Sequence, residues 1–277
     1  MKSQSVRLHV AALACLAFSC LLVARPAEGG YFSDHSVQSF YEDFNQFRGD
    51  GFIQLPGGTQ LDSDLWRVSG LSDTEGLFGG AYLSGDWARG AATGAVTTGG
   101  VYAFQIGEEL NENWAIGFQS TASDLTPGAL TLRVVNSTTE TVLSIDIGFQ
   151  VLFRNNAGRS TALTFDYGFD DFTYLNAFEE SWVSKADPEN ASEWLSNTFH
   201  QTVTGFSLLP SEALYLRWSM DDFGGIGSRD EIAIDDVRLN FSAVSSSVPT
   251  PSAVGFLLLM IGCLGWRRNL FEVSRGC

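Results

Sequence analysis

The sequence predicts an all-β domain over residues 31–243, built as an antiparallel β-sandwich. Apolar residues alternate with polar ones in the segments Leu163–Tyr167 and Leu214–Trp218, and this period of two places one face of a strand in a core. No stretch of the same domain shows a sustained helical period. Its length is also enough to bury a full hydrophobic core. We therefore expect two antiparallel sheets packed face to face.

Residues 1–29, before this domain, have the order of parts of a secretory signal peptide. Lys2 and Arg7 precede the apolar run Leu8–Val23, and a short polar stretch follows it. The run is shorter than the ~20 apolar residues that a membrane-spanning helix needs, so we expect a cleaved signal peptide and export. A lipoprotein signal ending at Cys20 is the alternative.

Charge and cysteine content agree with export. The chain has 32 acidic and 16 basic residues and a net charge of −16, which would repel nucleic acid and attract divalent cations. All four cysteines lie in the end segments, at Cys15, Cys20, Cys263 and Cys277. The domain over 31–243 therefore contains no disulfide, and we expect its stability to come from its core and from any bound metal.

Two internal runs predict a β-hairpin. Leu130–Val135 and Thr141–Ile147 are both strand-like, and the polar segment 136–140 separates them. A short polar loop between two strand-like runs is typical of antiparallel neighbours. We therefore expect these two strands to pair with each other.

The opening and closing segments of the domain carry a family resemblance. The domain opens with Phe40-Tyr41-Glu42-Asp43-Phe44 and closes with a segment that contains Ile234-Asp235-Asp236-Val237. This pairing resembles jelly-roll domains of the concanavalin-like, MAM and carbohydrate-binding-module kind. The resemblance implies that the first and last strands meet, and that an Asp of the closing pair helps to bind a structural Ca²⁺. The matching residues are Asp235 and Asp236, with Glu42 or Asp43 as partners. A solvated acidic strand end is the alternative.

Two further acidic groups lie within the domain. They are Asp166 with Asp170 and Asp171, and Asp221 with Asp222. Neither group has the ligand spacing of an EF-hand, and we expect both chiefly to keep the domain soluble. A calcium site built from separate loops, which leaves no such local pattern, is the alternative.

No catalytic site is recognisable, and we expect the domain not to be an enzyme. Laminarinase-like glycoside hydrolases carry carboxylates on one strand as Glu-x-Asp-x-Glu, whereas Glu231–Asp235 has Ala233 at the middle position. Asp235 at the last position is shorter than Glu, so the ~5 Å separation of a retaining carboxyl pair is harder to reach. Outside the signal peptide only His35 and His200 occur, without the clustered ligands of a zinc site or a nucleophilic triad.

A glycan-binding site is the functional alternative, because sugars stack on exposed aromatic faces. Tyr174, Trp182 and Trp194 lie in an irregular stretch after Asp171, where a loop could present them. Aromatic side chains in a sandwich are more often part of the core, which is the competing interpretation.

Residues 244–277 differ in composition from the domain. The Ser- and Pro-rich linker 244–251 ends in a short motif. The apolar run Ala253–Trp266 follows this motif, and two arginines follow the run. The motif residues are Val248, Pro249, Thr250, Pro251 and Ser252, and the arginines are Arg267 and Arg268. This order resembles a PEP-CTERM sorting tail, although Thr250 stands where that family usually has Glu and the extension Asn269–Cys277 follows the arginines. The resemblance implies processing by the membrane transpeptidase exosortase, with 252–277 forming one apolar helix that holds the chain in the membrane beforehand. An ordinary C-terminal anchor is the alternative.

These features together predict an exported protein of the cell envelope or extracellular matrix, such as that of a biofilm, with a non-enzymatic structural or adhesive role. A carbohydrate-binding module for matrix polysaccharide is the alternative, and a glycoside hydrolase is less favoured. The expected partners are an exosortase-like enzyme, the membrane through the tail, and extracellular polysaccharide. Nucleic acid is excluded by the acidic surface.

Overall fold

The computed structural model of the chain describes residues 37–107, 112–175, 181–188 and 193–244. The predicted signal peptide and sorting tail lie outside these residues. The strands are β1 (Val37–Glu42), β2 (Phe52–Ile53), β3 (Leu61–Asp62), β4 (Trp66–Ser69), β5 (Ala91–Ala92), β6 (Gly100–Gln105), β7 (Trp114–Gln119), β8 (Gly128–Val135), β9 (Thr141–Arg154), β10 (Arg159–Gly168), β11 (Ser181–Val183), β12 (Leu195–Leu208), β13 (Ala213–Gly225) and β14 (Glu231–Val244). A single 3₁₀ turn, Gly85–Trp87, is the only helical element among the described residues. None of the helices in this part of the chain is long and apolar enough to cross a membrane.

The strands form two main sheets and one small one. The larger sheet has the order β12-β9-β14-β7-β6-β5, with β1 also paired to β14, and the smaller sheet has the order β11-β10-β13-β8-β4. Pairing is antiparallel except in the two-residue pairs β2–β3 and β5–β6. The apolar residues of Leu163–Tyr167 and Leu214–Trp218 are buried as the alternation predicts. The predicted all-β sandwich is therefore confirmed.

Large side chains from both sheets meet in the core. The rings of Phe149 on β9 and Trp218 on β13 have centroids 5.3 Å apart. Phe165 on β10 lies 4.8 Å from Phe149 and 5.2 Å from Trp218, and Trp66 on β4 lies 6.2 Å from Trp218. These four buried rings join the two sheets, and burial of large aromatic side chains is a major source of stability in such a core.

The first and last strands are neighbours, as the jelly-roll resemblance implies. β1 runs antiparallel to β14, with Phe40 opposite Leu239 and Glu42 opposite Val237. Phe40 and Leu239 are buried between the sheets. The opening and closing segments of the domain therefore form one continuous part of the larger sheet.

The predicted hairpin of β8 and β9 is wrong, because these two strands belong to different sheets. β8 already pairs with β4 and β13 on its two sides, so it has no free edge for β9. The chain instead crosses to the larger sheet at the buried Asn136, whose Nδ2 donates to the carbonyl oxygens of Glu140 and Leu208 at 2.8 and 3.0 Å. These bonds satisfy backbone carbonyls at a corner between the sheets.

Candidate functional site

An open groove lies on the outer face of the larger sheet, across β12, β9 and β14. Along β9 the residues Ile147 and Phe149 face the core, so alternation turns Asp146, Gly148 and Gln150 outward. The groove has a volume of about 310 Å³. We call it the outer groove, and the residues that line it are Asp146, Gly148, Phe149, Gln150, Thr198, Phe199, His200, Asp236, Arg238 and Asn240.

Gly148 provides the depth of the outer groove. It pairs with His200 on one side and with Arg238 on the other, so a position without a side chain lies between two long ones. A Cβ at Gly148 would come no closer than 3.6 Å to a neighbouring atom. Neither its backbone conformation nor a close contact therefore requires glycine, and what the missing side chain contributes is space.

Asp236 lies at a β-bulge in the middle of β14. Asp235 is opposite Gln150 and Arg238 is opposite Gly148, so the register shifts between them. Asp236 has a φ of 53°, in the left-handed region that non-glycine residues occupy at a cost of roughly 1–3 kcal/mol. Such strain persists only where surrounding contacts hold the residue in place.

Hydrogen bonds provide those contacts and cross four strands. Ser196 on β12 donates to Gln150 Oε1 at 2.8 Å, and Gln150 on β9 donates to Asp236 Oδ2 at 2.6 Å. Tyr41 on β1 donates its hydroxyl to Asp236 Oδ1 at 2.7 Å, and Arg238 donates to the same oxygen at 3.1 Å. Burial raises the pKa of Asp236, but these hydrogen bonds outweigh it and bring the pKa below its usual value.

The neighbouring Asp235 has the opposite electrostatic environment. Its side chain is buried, and burial raises its pKa to about 7. Its Oδ2 accepts a hydrogen bond from Asn113 Nδ2 at 2.8 Å, and its Oδ1 accepts one from the backbone N–H of Asp236 at 2.7 Å. The charges of Asp236 and Asp43 add to the rise in its pKa. Two adjacent carboxyl groups therefore favour different protonation states.

The structure places the four residues of the predicted calcium site at the junction of β1 and β14. Glu42 Oε1 accepts a hydrogen bond from the backbone N–H of Phe44 at 2.9 Å, and Asp43 Oδ1 accepts one from Asn45 at 3.0 Å. Asp235 and Asp236 are held as described above. In the described ranges no three Asp, Glu, His or Cys side chains are grouped so as to hold a metal ion. Calcium binding stays a prediction.

The three aromatic residues of the predicted glycan site lie apart. Trp182 packs on the core rings of Phe149 and Phe199, with centroids 5.7 and 5.9 Å away. Trp194 packs on Phe104, 5.0 Å away, on the outer face of the larger sheet.

Tyr174, the third of them, lies against the smaller sheet. The Arg217 guanidinium lies 3.7 Å from its ring centroid. Burial, with the neighbouring Asp171, raises the pKa of Tyr174 to about 12. The three residues do not form one surface.

Tyr41 is an exposed aromatic residue near the outer groove that the sequence pattern did not single out. Its side chain is 47% exposed, and the Arg238 guanidinium lies 4.9 Å from its ring centroid. It lies beside the outer groove, because its hydroxyl is bonded to Asp236. The signal was present in the opening segment, since strand alternation with the buried Phe40 turns Tyr41 outward.

The other acidic groups are largely paired with arginine. Asp166 pairs with Arg217 at 2.9 Å, and Asp171 pairs with Arg67 through two hydrogen bonds of 2.5 and 2.7 Å. Asp222 contacts two arginines, Arg159 at 2.8 Å and Arg229 at 2.5 Å. These carboxylates connect strands and loops of the smaller sheet in addition to carrying charge.

No protein-family model matches the chain, and no curated protein sequence matches it. Several solved structures have a similar fold, and those described here are distant from this chain in sequence. A carbohydrate-binding module specific for non-crystalline cellulose is 10% identical, with a TM-score of 0.35, and the match covers 64% of this chain and 86% of the module. The K3 cleaved adhesin domain of Lys-gingipain from Porphyromonas gingivalis is 14% identical, with a TM-score of 0.36, over 74% of this chain and 98% of that domain.

The enzymatically active domain of tailspike protein 4 of bacteriophage CBA120 is 10% identical, with a TM-score of 0.29. The match covers 66% of this chain, which spans 20% of the length of the tailspike chain.

Proposed function

We propose that the domain binds a neutral polysaccharide in the outer groove and does not cleave it. The observation that carries this proposal is the hydrogen-bond chain from Ser196 through Gln150 to Asp236 and Tyr41, which orders polar groups across four strands. Sugar hydroxyls both donate and accept hydrogen bonds. A groove with carboxylate, amide, hydroxyl and guanidinium groups on a rigid sheet offers partners of both kinds, and preordering lowers the entropic cost of binding.

Tyr41 supplies an apolar contact next to these polar groups. An exposed ring beside the groove can stack on the C–H face of a sugar while the hydroxyl stays bonded to Asp236. Sugar binding needs both apolar contact and a fixed orientation. Here the Tyr41 ring provides the contact area, and the polar groups of the outer groove orient the sugar through hydrogen bonds.

The charge of the protein favours a neutral ligand. The outer groove contains carboxylates at Asp146 and Asp236 and a guanidinium at Arg238, so it has no strong positive potential. The chain as a whole has a net charge of −16 and would repel an anionic polysaccharide at moderate ionic strength.

A glycan array probed with the purified chain tests the proposal. We expect retention on neutral hexose polymers, and we expect Tyr41→Ala to weaken it at least about tenfold, equivalent to about 1.4 kcal/mol. Phe223→Ala is the matched control, because Phe223 is 69% exposed but lies outside the groove. Equal binding by both variants, or no binding to any neutral polymer, would contradict the proposal.

A second variant, Gly148→Val, separates binding from folding. The space around Gly148 admits a Cβ, and a β-branched residue suits a strand, so the melting temperature should not fall. The new side chain would fill the outer groove, and binding should be lost. Wild-type affinity in a folded Gly148→Val protein would place the ligand elsewhere.

We further propose that the chain acts outside the inner membrane after removal of its tail. The order of motif, apolar run and arginines in 248–268 supports this. Mass spectrometry of envelope and secreted fractions should recover peptides of 31–243 and none beyond about Pro251. Recovery of a peptide within Asn269–Arg275 from the secreted form would show that the tail is retained.

A further inference from the structure

β12 forms a long outer edge of the larger sheet. It is 14 residues long and pairs with β9 on one side, and no described strand lies on its other side. The other strands with only one neighbour are shorter: β1 has six residues, β4 four, β11 three, and β2, β3 and β5 two each. β12 therefore presents the longest row of edge backbone groups in the described part of the chain.

This edge has few of the features that usually prevent strands from pairing with another chain. Between positions 195 and 208 the sequence contains no Asp, Glu, Lys, Arg or Pro, the residues that commonly protect exposed edges. Thr198, Thr202, Val203 and Thr204 favour extended backbone. The one irregularity is near the end, where Gly205 has a φ of 82° and the register with β9 shifts between Thr204 and Leu208. The stretch 195–204 is regular.

We propose that β12 pairs antiparallel with β12 of a second copy of this chain, so that two larger sheets join across a two-fold axis. A two-fold contact brings the same strand against itself, and an edge without charge is complementary to its own copy. With 32 acidic and 16 basic residues, two copies repel each other in most orientations. The uncharged edge allows close approach and gives its backbone groups partners.

Such a dimer has a consequence for ligand binding, and this consequence rests on the proposed function. Thr198 and His200 of β12 line the outer groove, so joining the sheets at β12 places two grooves on one continuous face. A polymer that occupies both grooves would bind by avidity, with no new contact within either groove.

Sedimentation velocity of the purified full-length chain in reducing buffer tests the dimer without any glycan. We expect a species of twice the chain mass of 30.1 kDa. The variant Gln201→Lys/Thr204→Lys adds like charges to two exposed positions of β12 that are not groove residues. It should raise the dimer dissociation constant at least about tenfold. Thr74→Lys/Thr97→Lys, at exposed positions off the edge, is the control with the same charge and should remain dimeric.

Hydrogen exchange provides a second readout that does not depend on the variant. Amide protection over 195–204 should rise with protein concentration, while protection of β1 should not. A parent chain that is monomeric at every concentration would overturn the proposal, as would assemblies larger than two copies, because one edge per copy closes at a dimer. Equal dissociation constants for the edge variant and its control would also overturn it.

Discussion

Replacing Trp218 with alanine should destabilise the domain by about 3–5 kcal/mol, the cost typical of removing a large buried aromatic side chain. Trp218 is fully buried, and its ring lies within 6.2 Å of Trp66, Phe149 and Phe165. The indole therefore connects both sheets, and neighbours held in two sheets cannot all move to fill the cavity. Urea unfolding followed by circular dichroism would measure the loss as a lower midpoint.

Trp194→Ala is the matched control for this change. Trp194 is only partly buried and packs on the outer face of the larger sheet. Like Trp218, it has a buried indole N–H that donates to no other residue in the described part of the chain. Both substitutions remove the same side chain and the same indole N–H. The difference between their losses of unfolding free energy therefore measures the effect of where the side chain lies in the fold. If Trp194→Ala costs as much as Trp218→Ala, the core does not depend on the contact between sheets.

As the pH rises from about 4 to about 8, the free energy of unfolding of the parent should fall relative to that of an Asp235→Asn variant. The reason is that Asp235 has different pKa values in the folded and unfolded states. The folded-state pKa is about 7, above the unfolded value of about 3.9. Below the lower value both states carry the proton, so the contribution of Asp235 is fully present. Between the two values the folded state binds more protons, and the contribution is lost as the pH rises through about 7. The difference in pKa corresponds to at most about 4 kcal/mol.

Urea unfolding of the parent and of Asp235→Asn across this pH range would measure the difference. Asp236→Asn is the control with the opposite sign, because hydrogen bonds bring the pKa of Asp236 below its ordinary value. The stabilising contribution of Asp236 is present above its pKa in the unfolded state and is lost as the pH falls through its pKa in the folded state. The stability of Asp236→Asn relative to the parent should therefore fall as the pH rises in the acidic range. Parallel curves for the parent and Asp235→Asn would mean that Asp235 is not buried as described.

The same experiment decides the predicted calcium site at Glu42, Asp43, Asp235 and Asp236. A bound Ca²⁺ would favour the ionised form of Asp235 and reduce its pH-dependent loss of stability. Chelator would then lower the melting temperature by a few degrees. If the curves of stability against pH are identical with calcium and with chelator, these carboxylates do not bind calcium.

The sequence by itself determined which strand residues face the core and which segments open and close the domain. The reason is local, since alternation at a period of two places Phe165 and Trp218 inside whatever the strand order. The resemblance of the two end segments added the pairing of β1 with β14. The same alternation also turned Tyr41 outward, although its position opposite Arg238 was not evident.

Only the tertiary structure decided which strands become neighbours and which side chains meet across them. β8 and β9 are close in sequence but lie in different sheets, because β4 and β13 occupy both edges of β8. The outer groove depends on Gly148 lying between His200 and Arg238, and Asp171 pairs with an arginine 104 positions away. Contacts of this kind follow from strand order and register. A slip of one residue in register would reverse the faces, and no local pattern specifies which of the possible strand pairings forms.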